Sequence, residues 1–153
     1  MNKPITIIRE RKKMSKPNIT IIRGLPGSGK TSLGRKLSLK TGAMLIEPDM
    51  LLTRGGDYRY DPVRYQFATA AASELLRIAA KLQADVIYAD VLPRVITVLS
   101  LLELYQAASQ AGATQQVIDC KPITVEQSIR RNSHHVKPED IRRMADEWQP
   151  WKP

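Results

Sequence analysis

The sequence has few of the residues that build disulfide frameworks or metal centres. Its 153 residues include one cysteine, Cys120, and two histidines, so no disulfide and no cysteine-based metal site can form within the chain. No apolar run approaches the ~20 residues that cross a bilayer, and the charged start lacks the apolar core of a signal peptide. We therefore expect a cytoplasmic protein with no membrane association.

Acidic residues are fewer than basic residues, 15 against 24, and the formal net charge is +9. Six basic side chains against one acidic give residues 1–16 a net charge of +5, which leaves +4 for the remainder. This balance permits an anionic partner but does not demand one. We expect a basic arm over 1–16, which either grips such a partner or is dispensable, and a single domain over 17–153.

Short β-branched or apolar runs alternate with longer helical patterns from residue 19 onward. The alternation predicts an α/β fold, a three-layer sandwich in which about four parallel strands are covered by helices on both faces. Ligands on such sheets bind at the carboxyl ends of the strands. The predicted strands are Ile19–Arg23, Ala43–Glu47, Asp85–Ala89 and Gln115–Asp119, and the predicted helices are Lys30–Lys40, 62–82, Pro93–Ala111, 124–132 and 138–148.

Two of the predicted helices carry apolar patterns that suggest how they pack. The helix after Asp61-Pro62 has one apolar stripe, which we expect to face the core. The helix from Pro93 is apolar on several sides, which favours deep burial over an oligomer contact. The stripe consists of Val63, Phe67, Ala71, Leu75, Ile78 and Leu82.

The strongest motif lies between the first strand and the first helix. The sequence Gly24-Leu-Pro-Gly-Ser-Gly-Lys-Thr31 matches G-x-x-x-x-G-K-[ST], a loop whose amides cradle phosphates. Lys30 is expected to reach the β- and γ-phosphates, and the Thr31 hydroxyl to bind Mg²⁺. No guanine-reading Asn-Lys-x-Asp is present, so ATP is the expected nucleotide. The candidate nucleotide-binding residues are Gly24, Leu25, Pro26, Gly27, Ser28, Gly29, Lys30, Thr31 and Ser32.

Two carboxylates stand at predicted strand ends, where a nucleotide would lie. Asp49 follows the second strand and Asp90 follows the third. Phosphoryl transfer uses one group to orient the acceptor hydroxyl and a carboxylate near the metal. Spacing alone does not assign these two roles, and either aspartate could instead cap a helix or loop.

Arginines and aromatic residues supply two further candidate clusters. Arg130 and Arg131, between the last two helices, could close over the phosphates as catalytic groups or form a solvated helix end. Around Tyr58–Phe67, half of the chain's eight aromatic residues alternate with arginines, a pattern suited to stacking bases and holding phosphates. The alternative is that Phe67 is core and the tyrosines pack a loop. The candidate acceptor-binding residues are Arg54, Tyr58, Arg59 and Tyr60.

Together these motifs resemble the P-loop kinase superfamily, in particular its branch of phage polynucleotide 5′-kinases and the ATP-binding domains of Nedd-four-binding proteins. The resemblance covers 19–149 and includes a C-terminal signature that sets this branch apart. The motifs that carry it are Arg23–Thr31, Glu47-Pro-Asp49, Gly56–Pro62, Arg131-Asn-Ser-His-His-Val136, Glu139–Met144 and Trp148.

The resemblance implies a P-loop kinase domain over 17–153 with a helical lid. It further implies that Asp49 acts on the acceptor hydroxyl and that Arg130 or Arg131 contacts the nucleotide phosphates. Asp90 with Thr31 is the expected metal pair. The sequence departs from the family where Asp90 is followed by Val91-Leu92 and where His135 replaces a common glycine.

The leading functional hypothesis is an ATP- and Mg²⁺-dependent kinase that phosphorylates a hydroxyl of a nucleic acid. The acceptor would be the 5′-hydroxyl of DNA or RNA, or a hydroxyl on a modified base in DNA. The alternatives are a kinase for a small molecule or nucleotide, and a nucleotide-binding adaptor with little transfer activity. The sequence leaves the oligomeric state open.

Overall fold

The computed structural model describes residues 15–54, 57–58 and 60–152, with the side chains of residues 54, 57 and 58 excepted. Strands and helices alternate along this part of the chain as expected. In chain order the elements are β1 (Asn18–Arg23), α1 (Lys30–Thr41), β2 (Met44–Ile46), a 3-10 turn (Pro48–Leu52), β3 (Thr53–Arg54), β4 (Asp57–Tyr58), α2 (Pro62–Lys81), β5 (Val86–Asp90), α3 (Val95–Ala108), β6 (Thr114–Asp119), α4 (Val125–Arg131) and α5 (Pro138–Asp146).

Four strands form a parallel sheet in the order β2-β5-β1-β6. At its carboxyl edge, Arg23 of β1 is in register with Asp90 on one side and Asp119 on the other. The carboxyl ends of three neighbouring strands are therefore level, and the segments that follow them start side by side. This arrangement confirms the predicted α/β fold.

The side chains of the central strand alternate between the two faces of the sheet, as the period of a β-strand requires. Ile19 and Ile21 pack on one face with residues of α2 and α3, whereas Ile22 packs on the other face beside α1. All three are fully buried, and each contributes about 1.5–3 kcal/mol through burial. The sheet is thus covered on both faces and holds the strand ends rigidly.

The prediction that the apolar stripe of α2 faces the core is wrong. Phe67 is 70% exposed and Val63 is 76% exposed, and Leu75, Ile78 and Leu82 are exposed as well. The buried face is formed by Leu76 and four alanines, because small side chains let the helix lie closer to its neighbours. The sequence of α2 forms two adjacent apolar arcs on the helix surface, one of large side chains and one rich in alanine. The local pattern alone does not show which of the two faces the core. The alanines are Ala68, Ala72, Ala79 and Ala80.

The expected burial of α3 is confirmed for one of its faces. Val98, Leu102 and Tyr105 lie in the core, whereas Ile96 is 66% exposed. The helix is shorter than predicted at both ends. Within the described ranges, no helix has both the length and the apolar character that crossing a membrane requires.

Candidate functional site

The glycine-rich loop joins β1 to the N-terminus of α1. Gly27 and Gly29 have left-handed backbone conformations, with φ of 76° and 95°, which side chains other than glycine rarely adopt. Gly29 is the N-cap of α1 and supplies no side-chain hydrogen bond to the helix. The N-terminal amides and the positive end of the helix dipole therefore remain available to an anion.

Helix α4 braces the outer side of this loop. The Ser128 hydroxyl, which is buried, donates a 2.6 Å hydrogen bond to the carbonyl oxygen of Pro26. A methyl group added at Gly27 would lie 2.6 Å from Cβ of Arg131. The loop is therefore held between α1 and the last turn of α4, and Gly27 is required by close approach as well as by its φ angle.

A cavity of about 240 Å³ opens above the carboxyl ends of the strands. The glycine-rich loop and α1 form its floor, and the segment that follows α4 forms its opposite wall. Its lining residues are Pro26, Gly27, Gly29, Lys30, Thr31, Ser32, Glu47, Asp49, Tyr60, Tyr65, Ala89, Asp90, Val91, Ser133, His134, Val136 and Met144.

Lys30 and Thr31, in the first turn of α1, point their polar groups into the site. The Lys30 ammonium donates to the carbonyl oxygen of Leu25 at 3.1 Å. Burial lowers the pKa of Lys30, and the surrounding carboxylates, Asp90 foremost, oppose that shift. The Thr31 hydroxyl donates to a Glu47 carboxylate oxygen at 2.8 Å. Thr31 and Glu47 thereby place a hydroxyl and a carboxylate together beside the loop.

Asp90 ends β5 as a buried carboxylate. Its two oxygens accept hydrogen bonds from the Val91 amide, at 2.8 Å, and from the Tyr65 hydroxyl, at 3.0 Å. Burial, followed by repulsion from Asp49, raises the pKa of Asp90 to about 6. Burial and the neighbouring Asp90 also raise the pKa of Tyr65, which therefore remains a hydrogen-bond donor.

The oxygen-rich wall of the cavity suits a divalent cation bound together with phosphate. Mg²⁺ prefers oxygen ligands, keeps several waters and takes only one or two carboxylates beside substrate phosphates. Thr31 and Glu47 fit that pattern, and Asp90 lines the same cavity. Across the described residues no group of three or more His, Cys, Asp or Glu forms a self-contained metal site. A cation here would therefore depend on oxygens of the bound ligand.

A second cavity, of about 440 Å³, lies on the other side of the glycine-rich loop. The segment after β6 and the end of α5 complete its walls, and most of these side chains are apolar. Burial raises the pKa of Cys120 in this wall, so its thiol stays protonated at neutral pH. The lining residues are Gly24, Leu25, Ser28, Asp119, Cys120, Lys121, Pro122, Ile123, Val125, Ala145, Trp148 and Pro150.

Most of the predicted site residues meet around these two cavities. Asp49, Asp90 and Tyr60 line the first cavity together with six residues of the glycine-rich loop and α1, and the loop residues Gly24, Leu25 and Ser28 line the second. Arg130 and Arg131 are exposed at the end of α4 and line neither cavity. Arg59 and the side chains of Arg54 and Tyr58 lie outside the described residues.

Sequence reasoning did not assign Glu47, Tyr65, Ser133 or His134 to the site, although it expected a lid at the segment that contains the last two. Glu47 follows β2 directly, so its place at the carboxyl edge was a usable signal. Tyr65 lies one turn into α2, and no local pattern connects it with Asp90. Ser133 and His134 line the first cavity where arginines were expected. His135, in the position where the resembled family often has glycine, is left-handed with φ of 54°.

Comparison with known proteins agrees with this architecture. The profile of the AAA domain family matches residues 19–149. Comparison with curated protein sequences finds no significant match. The chain is similar in structure to a protein from Chloroflexus aurantiacus that is designated a kinase, with a TM-score of 0.67 and 15% identity over 85% of this chain and 78% of that one.

Two further solved structures share the fold at low identity. One is a chain of the Pnkp1/Rnl/Hen1 RNA repair complex, with a TM-score of 0.65 and 18% identity over 90% of this chain; the match spans 45% of that longer chain. The other is a gluconokinase from Sinorhizobium meliloti 1021, with a TM-score of 0.55 and 13% identity over 90% of this chain and 78% of that one. With its glycine-rich loop and matching profile, the chain belongs to the AAA domain family, and its four-stranded parallel sheet is part of a fold that it shares with the gluconokinase.

Proposed function

We propose that this protein is an ATP-dependent kinase that transfers the γ-phosphate to a hydroxyl group of a nucleic acid. The observation that carries the proposal is the shared cavity in which Lys30 and the carboxylates Asp49 and Asp90 face the glycine-rich loop. Phosphoryl transfer depends on positioning and on charge stabilisation, and this cavity brings together a cation, an anion-binding helix terminus and candidate acceptor-orienting carboxylates.

In this proposal the bound nucleotide spans both cavities. The triphosphate lies on the loop amides and Lys30, and the base lies in the second cavity, where Trp148 and apolar side chains offer a stacking surface. Thr31, Glu47 and Asp90 are the residues that would hold Mg²⁺. When bound, Mg²⁺ neutralises charge on the phosphate oxygens.

Asp49 is the residue proposed to act on the acceptor hydroxyl. It follows β2 and lines the same cavity as the glycine-rich loop, so a hydroxyl bound beside Asp49 would lie close to phosphates held on the loop. A carboxylate there orients the hydroxyl and accepts its proton. Arg130 and Arg131 remain candidates for contacting phosphates, and from their exposed positions at the end of α4 their side chains would have to turn towards the loop.

Aromatic residues beside Asp49 support a nucleic-acid acceptor. Tyr60 and Tyr65 both line the cavity, with ring centroids 5.8 Å apart and planes inclined by 49°. Aromatic faces stack bases of any sequence, and the net charge of +9 permits a polyanionic partner. Arg54, Tyr58 and Arg59 stay proposed acceptor contacts on the strength of the sequence pattern alone. The structural likeness to a chain of an RNA repair complex is consistent with a nucleic-acid acceptor.

A small-molecule kinase is the second candidate. A volume of about 240 Å³ would accommodate a sugar-sized acceptor, and the gluconokinase of similar fold shows that this architecture occurs among small-molecule kinases. A nucleotide-binding adaptor is the third reading, since Val91-Leu92 departs from the resembled family after Asp90.

A label-transfer screen tests these readings directly. The protein is incubated with γ-labelled ATP and Mg²⁺ against 5′-hydroxyl DNA, 5′-hydroxyl RNA, hydroxymethylated DNA, nucleosides and gluconate. Lys30→Met is the inactive control, and Lys36→Met, an exposed lysine of the same helix, is the matched control. Label on polymers alone is expected. Label on small molecules alone refutes the nucleic-acid acceptor, and ATP binding without transfer to any acceptor favours the adaptor.

A further inference from the structure

Arg23, the last residue of β1, is a fully buried charged side chain with contacts in several directions. Its Nε lies 3.3 Å from a carboxylate oxygen of Asp119. One terminal nitrogen donates to the carbonyl oxygens of Pro93, at 3.2 Å, and Gln149, at 2.7 Å. The guanidinium carbon lies 4.3 Å from the ring centroid of Trp148. A buried charge is costly unless it is paired in this way.

Two of the residues that Arg23 contacts, Trp148 and Gln149, belong to a strap that we define as residues 147–151. The Gln149 amide donates a hydrogen bond to the carbonyl oxygen of Pro93 at 2.8 Å. The Gln149 side-chain oxygen accepts one from the Val95 amide at 2.9 Å and so satisfies a free amide at the N-terminus of α3. The Trp151 amide donates to Asp119 at 3.1 Å. The strap is therefore fixed to the segment that follows β5 and to the last residue of β6, with Arg23 buried between them.

The strap connects Arg23 to the second cavity, and α5, which precedes the strap, reaches the first. Trp148 and Pro150 form part of the wall of the second cavity, and Met144 of α5, just before the strap, lines the first. On its other side Arg23 is bonded directly to Gly24, the first residue of the glycine-rich loop and a lining residue of the second cavity. One side chain thus joins the base of the loop to the wall that faces it.

We propose that Arg23 is a positioning residue for nucleotide binding, which holds Trp148 and the strap against the base of the glycine-rich loop. The planar guanidinium fork is suited to this task because it serves a carboxylate, two carbonyls and an aromatic face together, which a lysine ammonium does not. The inference rests on the proposed function in one respect, namely that ATP is the ligand whose affinity reports the position of the wall.

The experiment compares Arg23→Met with the matched control Arg94→Met. Arg94 also contacts the strap, through Glu147 at 3.1 Å, but it lies at the surface with its side chain 58% exposed. ATP affinity is measured by calorimetry with Mg²⁺ present, kcat and KM for ATP are measured on any acceptor found, and hydrogen exchange is followed over 141–151. Arg23→Lys tests rescue by charge alone.

We expect Arg23→Met to raise the Kd and KM for ATP at least tenfold, to leave kcat at saturating ATP within about threefold, and to speed exchange in the strap. Arg23→Lys should recover only part of the affinity, and Arg94→Met should stay within twofold of the wild type. A role confined to stability would instead lower the active fraction, and with it the apparent kcat, at unchanged KM; that result overturns the inference.

Two results separate this inference from the proposed function. A wild-type protein that binds no ATP refutes the proposed function, and exchange in the strap still reports whether Arg23 holds it. A wild type that binds ATP beside an Arg23→Met variant of equal affinity refutes the positioning role alone. If Arg23→Met does not fold, Arg23→Lys takes its place, since it keeps the positive charge but not the planar fork. An ATP Kd within twofold of wild type in that variant overturns the inference, and a fivefold or larger rise supports it.

Discussion

The buried carboxylate of Asp90 should make the stability of this protein fall as the pH rises through the weakly acidic range. The folded protein raises the pKa of this group from 3.8 to about 6, chiefly through burial and then through repulsion from Asp49. A carboxyl group whose pKa is raised by folding is more stable in the folded state when protonated. Its contribution is therefore fully present below the unfolded pKa and is lost as the pH passes the folded one.

The size of the effect follows from the difference between the two pKa values. Each unit corresponds to about 1.36 kcal/mol, so the shift of Asp90 amounts to about 3 kcal/mol in full and to about 2 kcal/mol between pH 4.5 and 7.5. The substitution Asp90→Asn removes this titration. It also leaves one donor, the Val91 amide or the Tyr65 hydroxyl, without its carboxylate oxygen, at a cost of about 1–3 kcal/mol that does not depend on pH.

The assay is urea unfolding of wild type and Asp90→Asn at several pH values between 4.5 and 7.5. The free energy of unfolding of the wild type, taken relative to the variant, should fall by about 2 kcal/mol across this range. Asp146→Asn, at an exposed aspartate of α5, is the matched control and should preserve the wild-type slope. Wild-type and Asp90→Asn profiles that run parallel would refute the reasoning.

Three further predictions concern the site. Asp49→Asn should reduce kcat at least a hundredfold and leave the calorimetric Kd for ATP within a few-fold; a large loss of ATP affinity would instead place Asp49 on the metal side. Glu47→Gln should raise the Mg²⁺ concentration that gives half-maximal activity, and an unchanged Mg²⁺ titration would contradict its role beside Thr31. Gly27→Ala should lower the melting temperature more than Gly29→Ala, because both positions have positive φ but only the first meets α4; equal losses would contradict the close approach.

The sequence allowed the glycine-rich loop to be predicted because its motif encodes the backbone geometry locally. The same holds for Asp49 and Asp90, since the ends of two β-runs define the carboxyl edge of the sheet. The partnership of Tyr65 with Asp90 was not predictable, because it spans 25 residues and depends on how α2 is rotated. The rotation of α2 was itself mispredicted, because the apolar arc that contains Phe67 faces solvent and the alanine arc faces the core.

The turn after α4 shows the same limit. Arg130 and Arg131 looked suited to closing over phosphates, but the end of α4 points them to solvent and brings Ser133 and His134 to the cavity instead. Side-chain chemistry indicated a lid here, and the residues that line the site depend on where the helix stops. The helix end is set by Asn132. Its side-chain oxygen accepts hydrogen bonds from the His134 and Val136 amides, and its side-chain nitrogen donates one to the Val136 carbonyl oxygen.

The hydrogen bond from Ser128 to Pro26 joins groups 102 residues apart, and the bond from Arg23 to Gln149 joins groups 126 residues apart. A growing polypeptide would carry the complete glycine motif long before either distant partner had been synthesised. The phosphate cradle consequently takes its final shape only after residue 149 has been synthesised, and nucleotide competence would report that α4 and the strap have docked.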